Sequence, residues 1–162
     1  EYNYRGQVIR YTKITTNSTG SPSKITTERT LEDIRYDSHD RVLYSKTEVH
    51  ETSSEQSDKK LDTTTIIETW NLEYNVLDQV MYRVTKERTE DEHGWKDTLT
   101  TTIAGKPMEY DTQGRLTYSY EKIDESGQYD EAFYDGRGII TARGKDSIPL
   151  KLWRSTTPIS MP

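Results

Sequence analysis

If this chain performs chemistry, its three histidines, its many carboxylates and its three tryptophans are the residues to ask about first. His39 lies between Asp37 and Asp40, and His93 follows Glu90, Asp91 and Glu92. Imidazole and carboxylate at such spacing could hold a divalent cation, but neither cluster has the ligand spacing of a zinc site. EDEH also lacks the alternating Asp, Asn and Gly positions of a calcium loop. His50 stands apart from both. There is no G-x-S-x-G elbow, phosphate-binding glycine loop or zinc-helix motif. Neighbouring Asp and Glu on polar strands mark a solvated face rather than an acid–base pair. The expectation is a protein that is not an enzyme and holds no metal or cofactor. Trp70, four residues before Tyr74 and on the strand face of Leu72, reads as a packing residue. Trp95, beside Gly94 at an expected hairpin tip, and Trp153 are the candidate contact residues, for a glycan or a neighbouring subunit. Asn17-Ser18-Thr19 is a formal glycosylation sequon.

Those residues sit in a lean, polar chain of 162 residues, sized for one domain or a segment of a longer array. Hydrophobic residues make up 30% of it, and the mean hydropathy is −1.00. Twelve Tyr and three Trp stand against a single Phe. Tyrosine covers a sheet face while leaving its hydroxyl wet, so such a core is workable. The net charge of −6 arises from 22 basic and 28 acidic residues. Their interspersion argues for solvated faces and against a nucleic-acid groove. Without cysteine there are no disulfides and no thiolate chemistry. No run approaches the ~20 apolar residues of a membrane helix, so no membrane insertion is expected.

One phrase recurs five times: YNYRGQV from Tyr2, YDSHDRVLY from Tyr36, YNVLDQVMY from Tyr74, YDTQGRLTY from Tyr110 and YDGRGII from Tyr134. The spacings are 34, 38, 36 and 24 residues. Each phrase reads as a three-residue hairpin loop, a type I turn closed by a left-handed residue. Asp37, Asn75, Asp111 and Asp135 open the turn, where the side chain accepts from backbone N–H groups. Gly114 takes the positive φ, and Asp40 and Asp78 take the same place at some cost. Arg115 follows Gly114 as Arg41 follows Asp40.

Loop length fixes register. It predicts Tyr36 opposite Val42 and Ile34 opposite Tyr44, Tyr74 opposite Val80 and Leu72 opposite Tyr82, Tyr110 opposite Leu116 and Met108 opposite Tyr118. All six pairs are expected on one sheet face. The other hairpin ends read as longer polar loops: NSTGSPSK (17–24), SSEQSDKK (53–60), TEDEHGWK (89–96) and DESGQ (124–128). Threonine-rich runs between them favour strands with a soluble face. The resulting expectation is an all-β fold, a long antiparallel meander of about nine strands. They lie near 2–16, 24–36, 41–52, 61–74, 79–89, 97–110, 115–123, 128–134 and 138–143. The meander occupies 1–147, and 148–162 forms a C-terminal tail or edge segment.

The phrase resembles the YD repeat of the RHS and teneurin proteins, whose core is close to YDxxGRL. YDTQGRL (110–116) matches it fully, and YDSHDRV and YNVLDQV match it in part. The chain is equally similar to degenerate YD-like arrays of very large bacterial surface proteins. The resemblance implies a long antiparallel sheet, open or spirally curved. In that family the sheet encloses a toxin in bacterial members and serves adhesion in animal ones. The chain lacks the DPxGL-like cleavage motif that ends RHS cores. The expected function is a structural or adhesive repeat module of an exported bacterial protein, at the cell surface or outside it. Its expected partners are proteins, through self-association at sheet edges or contact with neighbouring repeats, and a cell-surface glycan. The alternatives are a segment of a toxin-enclosing shell and a carbohydrate-binding domain.

Overall fold

The computed structural model describes residues 1–17, 23–53, 61–129, 132–134, 140–143 and 148–155, with side chains as far as Gln128. Every regular element among them is a strand. In chain order these are β1 (Thr12–Asn17), β2 (Lys24–Thr30), β3 (Arg35–Tyr36), β4 (Val42–Ser53), β5 (Asp62–Tyr74), β6 (Val80–Asp91) and β7 (Gly94–Thr102). They continue with β8 (Glu109–Tyr110), β9 (Leu116–Tyr118), β10 (Glu121–Tyr129), β11 (Ala132–Tyr134), β12 (Ile140–Arg143) and β13 (Ile148–Ser155). One antiparallel sheet runs β1-β2-β4-β5-β6-β7-β10-β13, with β3 laid against β4. Two short hairpins, β8–β9 and β11–β12, stand outside it. The sheet does not close, so the all-β, open meander expected from the sequence is what the chain forms.

The strands form where threonine, valine and isoleucine alternate with charge, as in TTTIIETW of β5. Such side chains fit a pleated surface that is wet on both sides. Residues 63–71 of β5 are all half-buried without alternation, so both faces are covered equally. Extensive contacts between strands run only between sheet neighbours. Among the described residues the buried apolar side chains are Tyr44 and Met108. Cross-strand pairs therefore carry the stability that a two-layer core would otherwise supply, at roughly 0.2–1 kcal/mol each.

Register confirms half of the expected pairs and corrects the other half in one consistent way. Tyr36 faces Val42, Tyr74 faces Val80 and Tyr110 faces Leu116. The next pair slips by one in every case. Arg35, not Ile34, faces Tyr44; Glu73, not Leu72, faces Tyr82; Glu109, not Met108, faces Tyr118. A bulge after the turn inserts Leu43, Met81 or Thr117 into the returning strand, which bends it and increases its twist. The degraded fifth phrase follows the same rule, with Tyr134 opposite Ile140 and a shift before Ala132 meets Arg143. The bulges also displace Leu72, which is exposed, from the face of Trp70.

Several expected strands divide. Segment 24–36 breaks after Thr30 because Ile34 donates its N–H to the Ile9 carbonyl instead of to β4. Segment 97–110 breaks at 103–108, where Lys106 N–H returns to the Ile103 carbonyl and Gly105 takes φ +76°. Segment 115–123 splits into β9 and the start of β10, and 2–16 is strand only from Thr12 apart from a bridge between Tyr2 and Val8. DESGQ is no loop: it lies inside β10. Gly127 there is required by close approach, since a Cβ would lie 2.8 Å from the Trp95 carbonyl oxygen. TEDEHGWK is a loop only at Glu92 and His93, because Asp91 already pairs with Gly94. The loops expected at 17–24 and 53–60 lie mostly outside the described residues. The segment 148–155 is the strand β13, paired to β10 at the sheet edge.

Candidate functional site

The turns of the first four phrases share one construction. The opening residue donates its N–H to the carbonyl four positions on, at 2.9 Å in each case: Asn3 to Gln7, Asp37 to Arg41, Asn75 to Gln79 and Asp111 to Arg115. The left-handed residue donates back to the opener, and its φ is +79° at Gly6, +67° at Asp40, +61° at Asp78 and +79° at Gly114. The opener's Oδ1 accepts two further N–H groups, those of His39 and Arg41 in the second phrase and of Gln113 and Arg115 in the fourth. Asn75 does the same for Leu77 and Gln79. This fills the donors of a tight turn as an Asx-turn does.

The opener's second side-chain atom selects the residue after the left-handed position. Asp37 Oδ2 accepts from Arg41 Nε at 2.7 Å, and Asp111 Oδ2 from Arg115 Nε at 2.7 Å. Where the opener is Asn, its Nδ2 donates instead, Asn3 to Gln7 Oε1 at 2.5 Å and Asn75 to Gln79 Oε1 at 2.6 Å. In these four turns Asp goes with Arg and Asn with Gln, each matching donor to acceptor, whereas Asn Nδ2 facing Arg would set donor against donor. The rule is new from the structure, although its signal, Asp–Arg and Asn–Gln four apart, is present in the residue types alone. Burial disfavours the Asp37 carboxylate, but the Arg41 N–H and guanidinium, with the His39 N–H, outweigh it and pull the group down to about 2. The Arg115 N–H and guanidinium likewise hold Asp111 below the usual carboxylate range.

Consecutive turns interlock. The pairs 36:42 and 74:80 lie next to hydrogen-bonded pairs 37:41 and 75:79, so Val42 and Val80 turn their carbonyls away from their own hairpin. The tyrosine of the next phrase caps each one. Tyr36 OH donates to the Val8 carbonyl at 2.6 Å, Tyr74 OH to that of Val42, and Tyr110 OH to that of Val80 at 2.7 Å. Burial raises Tyr74 and Tyr110 above the usual tyrosine range, which keeps their hydroxyls protonated as donors. A second contact reaches each following left-handed residue. Gln7 Nε2 donates to Asp40 Oδ1 at 2.8 Å, Arg41 Nη1 to Asp78 Oδ1 at 3.2 Å, and Gln79 Nε2 lies 3.2 Å from the point a Cβ on Gly114 would occupy. The aspartates thus occupy a conformation suited to glycine because they accept from the turn before. Arg41 also stacks 4.7 Å from the centroid of the Tyr74 ring.

The remaining sequence-predicted residues are distributed around this ladder. Tyr44 is buried, 5.7 Å from the Trp70 ring centroid, and its hydroxyl lies 2.7 Å from Glu68 Oε1 and 3.1 Å from Glu32 Oε2. Burial, then Glu68 and Glu32, raise its pKa strongly. Tyr82 faces Glu73 across the bulge, and Tyr118 stacks on Tyr120 with centroids 6.1 Å apart. Tyr134 keeps its backbone partner Ile140, while Asp135 lies outside the described residues. Trp95 is not at a hairpin tip: it is in β7 opposite Glu90, half-buried, with the Arg88 guanidinium 4.6 Å from its ring. Trp153 is in β13 opposite Asp124.

Among the described residues the three histidines do not converge. His39 Nδ1 lies 3.3 Å from Ser38 Oγ, His50 Nε2 is 2.9 Å from Asp62, and His93 Nε2 is 3.3 Å from Glu92. Among the described residues no three of His, Asp and Glu surround a common point. An open depression is lined by Lys86, Asp97, Leu99, Asp124 and Ser126. The geometry on offer is that of a ladder of interlocked turns. No family model, curated protein or solved structure matches the chain.

Proposed function

We propose that this chain is a non-enzymatic structural and adhesive repeat module of an exported bacterial protein, able to associate with itself through a sheet edge. The observation that carries the reading is the nearest-neighbour lock, in which each phrase tyrosine caps the carbonyl that the preceding turn leaves open. A unit whose contacts are only to its neighbours extends by repetition, and the array gains surface in proportion to its length. The two faces are threonine-rich and charged, with ion pairs such as Arg29–Glu48 at 2.7 Å and Lys96–Glu125 at 2.7 Å. They stay soluble without a second layer.

A glycan array run beside a hydrolysis panel tests the reading. No turnover and no saturable capture of a free glycan are expected. Turnover of any substrate would reject the non-enzymatic assignment, and saturable capture would replace it with a carbohydrate-binding domain. Hydrogen exchange supplies the mechanical half of the test. Protection should be highest in β5 and β6 and fall toward both ends, as in a one-dimensional array. A uniform, all-or-none opening would contradict it.

A further inference from the structure

We propose that β1 is the seam for a second copy of this chain. Two β1 strands pair antiparallel about a two-fold axis through Ile14, joining two sheets into one. The seam rests on the reading of the chain as a self-associating module and gives that module an edge and a symmetry.

The direction of each backbone group in β1 follows from one bond. Thr30 donates its N–H to the Tyr11 carbonyl at 3.1 Å, so 11:30 is a hydrogen-bonded pair. Antiparallel pairs alternate, so Lys13, Thr15 and Asn17 face β2, and Thr12, Ile14 and Thr16 turn their N–H and C=O outward. Six successive pairs join β1 to β2 with no register shift, and all six β1 residues are exposed, Ile14 by 67%. The strand has no proline and no bulge, and of the devices that protect an edge it carries a single lysine, Lys13.

The opposite edge is protected. Ile103 donates to the Tyr120 carbonyl, so the even-numbered residues of β10 bond to β7 and the odd-numbered ones to β13. Their partners are Ile148, Leu150, Leu152 and Arg154. The outward positions of β13 therefore include Pro149, which has no N–H, and the strand carries Lys151 beside it. Proline at such a position interrupts strand addition. Head-to-tail growth from β13 to β1 is thus disfavoured, and β1 with β1 is the pairing that uses two open edges.

The β1 sequence suits a two-fold. With Ile14 on the axis, Ile14 faces Ile14, Thr12 faces Thr16, and Lys13 faces Thr15. No like charges stand opposite each other. The same surface serves both copies, as a closed two-fold interface requires.

Because the chain has no cysteine, Ile14→Cys gives a clean probe. A hydrogen-bonded pair places its Cα atoms about 5.5 Å apart, within the roughly 4.4–6.8 Å that a disulfide spans. Mild oxidation should yield a dimer on a non-reducing gel. Light scattering across a concentration series should show the unaltered chain shifting from 18.9 kDa to twice that mass. Ile14→Pro removes one outward N–H and no bond to β2, so it should abolish the dimer while the circular dichroism stays unchanged. Ile14→Lys should weaken association at least about tenfold by placing like charges on the axis. A chain that is monomeric at every concentration overturns the seam, as does a dimer that survives Ile14→Pro and gives no disulfide from Ile14→Cys. The first result also removes self-association from the proposed function, and the second leaves it standing at another edge. Both leave the non-enzymatic repeat-module reading to its own tests, which are glycan capture, turnover and graded exchange in the monomer.

Discussion

Removing one hydroxyl at a time from the ladder should produce unequal losses, because the carbonyls they cap differ in what else they hold. Val42's carbonyl accepts from Tyr74 OH and also from Asn71 Nδ2 at 2.9 Å. Val80's carbonyl has Tyr110 OH at 2.7 Å and, among the described residues, no second side-chain donor. Both Tyr74→Phe and Tyr110→Phe lose a hydrogen bond to a carbonyl, with a net value of about 1 kcal/mol. Tyr74 OH also accepts from Asn71 Nδ2 at 3.0 Å, but that donor keeps the Val42 carbonyl as its partner when the hydroxyl is gone. Only Tyr110→Phe also leaves a half-buried carbonyl without its cap, adding about 1 kcal/mol of uncompensated desolvation. The expected destabilisations are therefore about 1 kcal/mol for Tyr74→Phe and about 2 kcal/mol for Tyr110→Phe. With a urea slope of ~2 kcal/mol/M, the midpoints fall by about 0.5 M and about 1 M. Exchange localises the effect: Tyr110→Phe should lower protection around β6 and β8 first. Equal losses, no losses, or a larger loss at Tyr74 would refute the capping argument.

Gly114→Asp should cost less than Gly114→Ala, which pays roughly 1–2 kcal/mol for the left-handed conformation. The aspartate gains a donor in Gln79, as Asp40 does in Gln7; thermal midpoints of the two variants decide it, and equal midpoints would deny the acceptor role. Asp37 is held at about 2 against an ordinary 3.8, so its contribution to stability is full above pH ~4 and is lost as pH falls from 3.8 toward 2. Urea midpoints between pH 2 and 5 should drop less steeply in Asp37→Asn than in the unaltered chain. Gly127→Ala forces a Cβ to 2.8 Å from the Trp95 carbonyl oxygen, separating β7 from β10 at a cost of about 1–3 kcal/mol, and an unchanged thermal midpoint would show that the strands yield freely.

The tight turns are legible in the residues alone. Opener, left-handed residue and closing pair lie within seven residues, so their φ preferences and side-chain bonds are local and can be read from YDTQGRL or YDSHDRV without knowing what lies beside them. The strand class is legible as well, since threonine and β-branched runs suit no other element here. The path of the chain after each turn is not, because it depends on packing between hairpins. The bulges at Leu43, Met81 and Thr117 bend the returning strand, so that each hairpin leans on its neighbour. The break at 103–108 similarly lets Met108 N–H reach the Met81 carbonyl. Gly127 reads as a loop residue in DESGQ because its constraint is the backbone of β7 at Trp95, 32 positions earlier in the chain. Aspartate at the left-handed position of two turns reads as a tolerated flaw, whereas folding makes it an acceptor for the turn before. The lock from tyrosine to valine carbonyl spans about 30 residues. Its acceptor is a backbone atom that every residue possesses, so no side-chain pattern can announce it until the strands stand side by side.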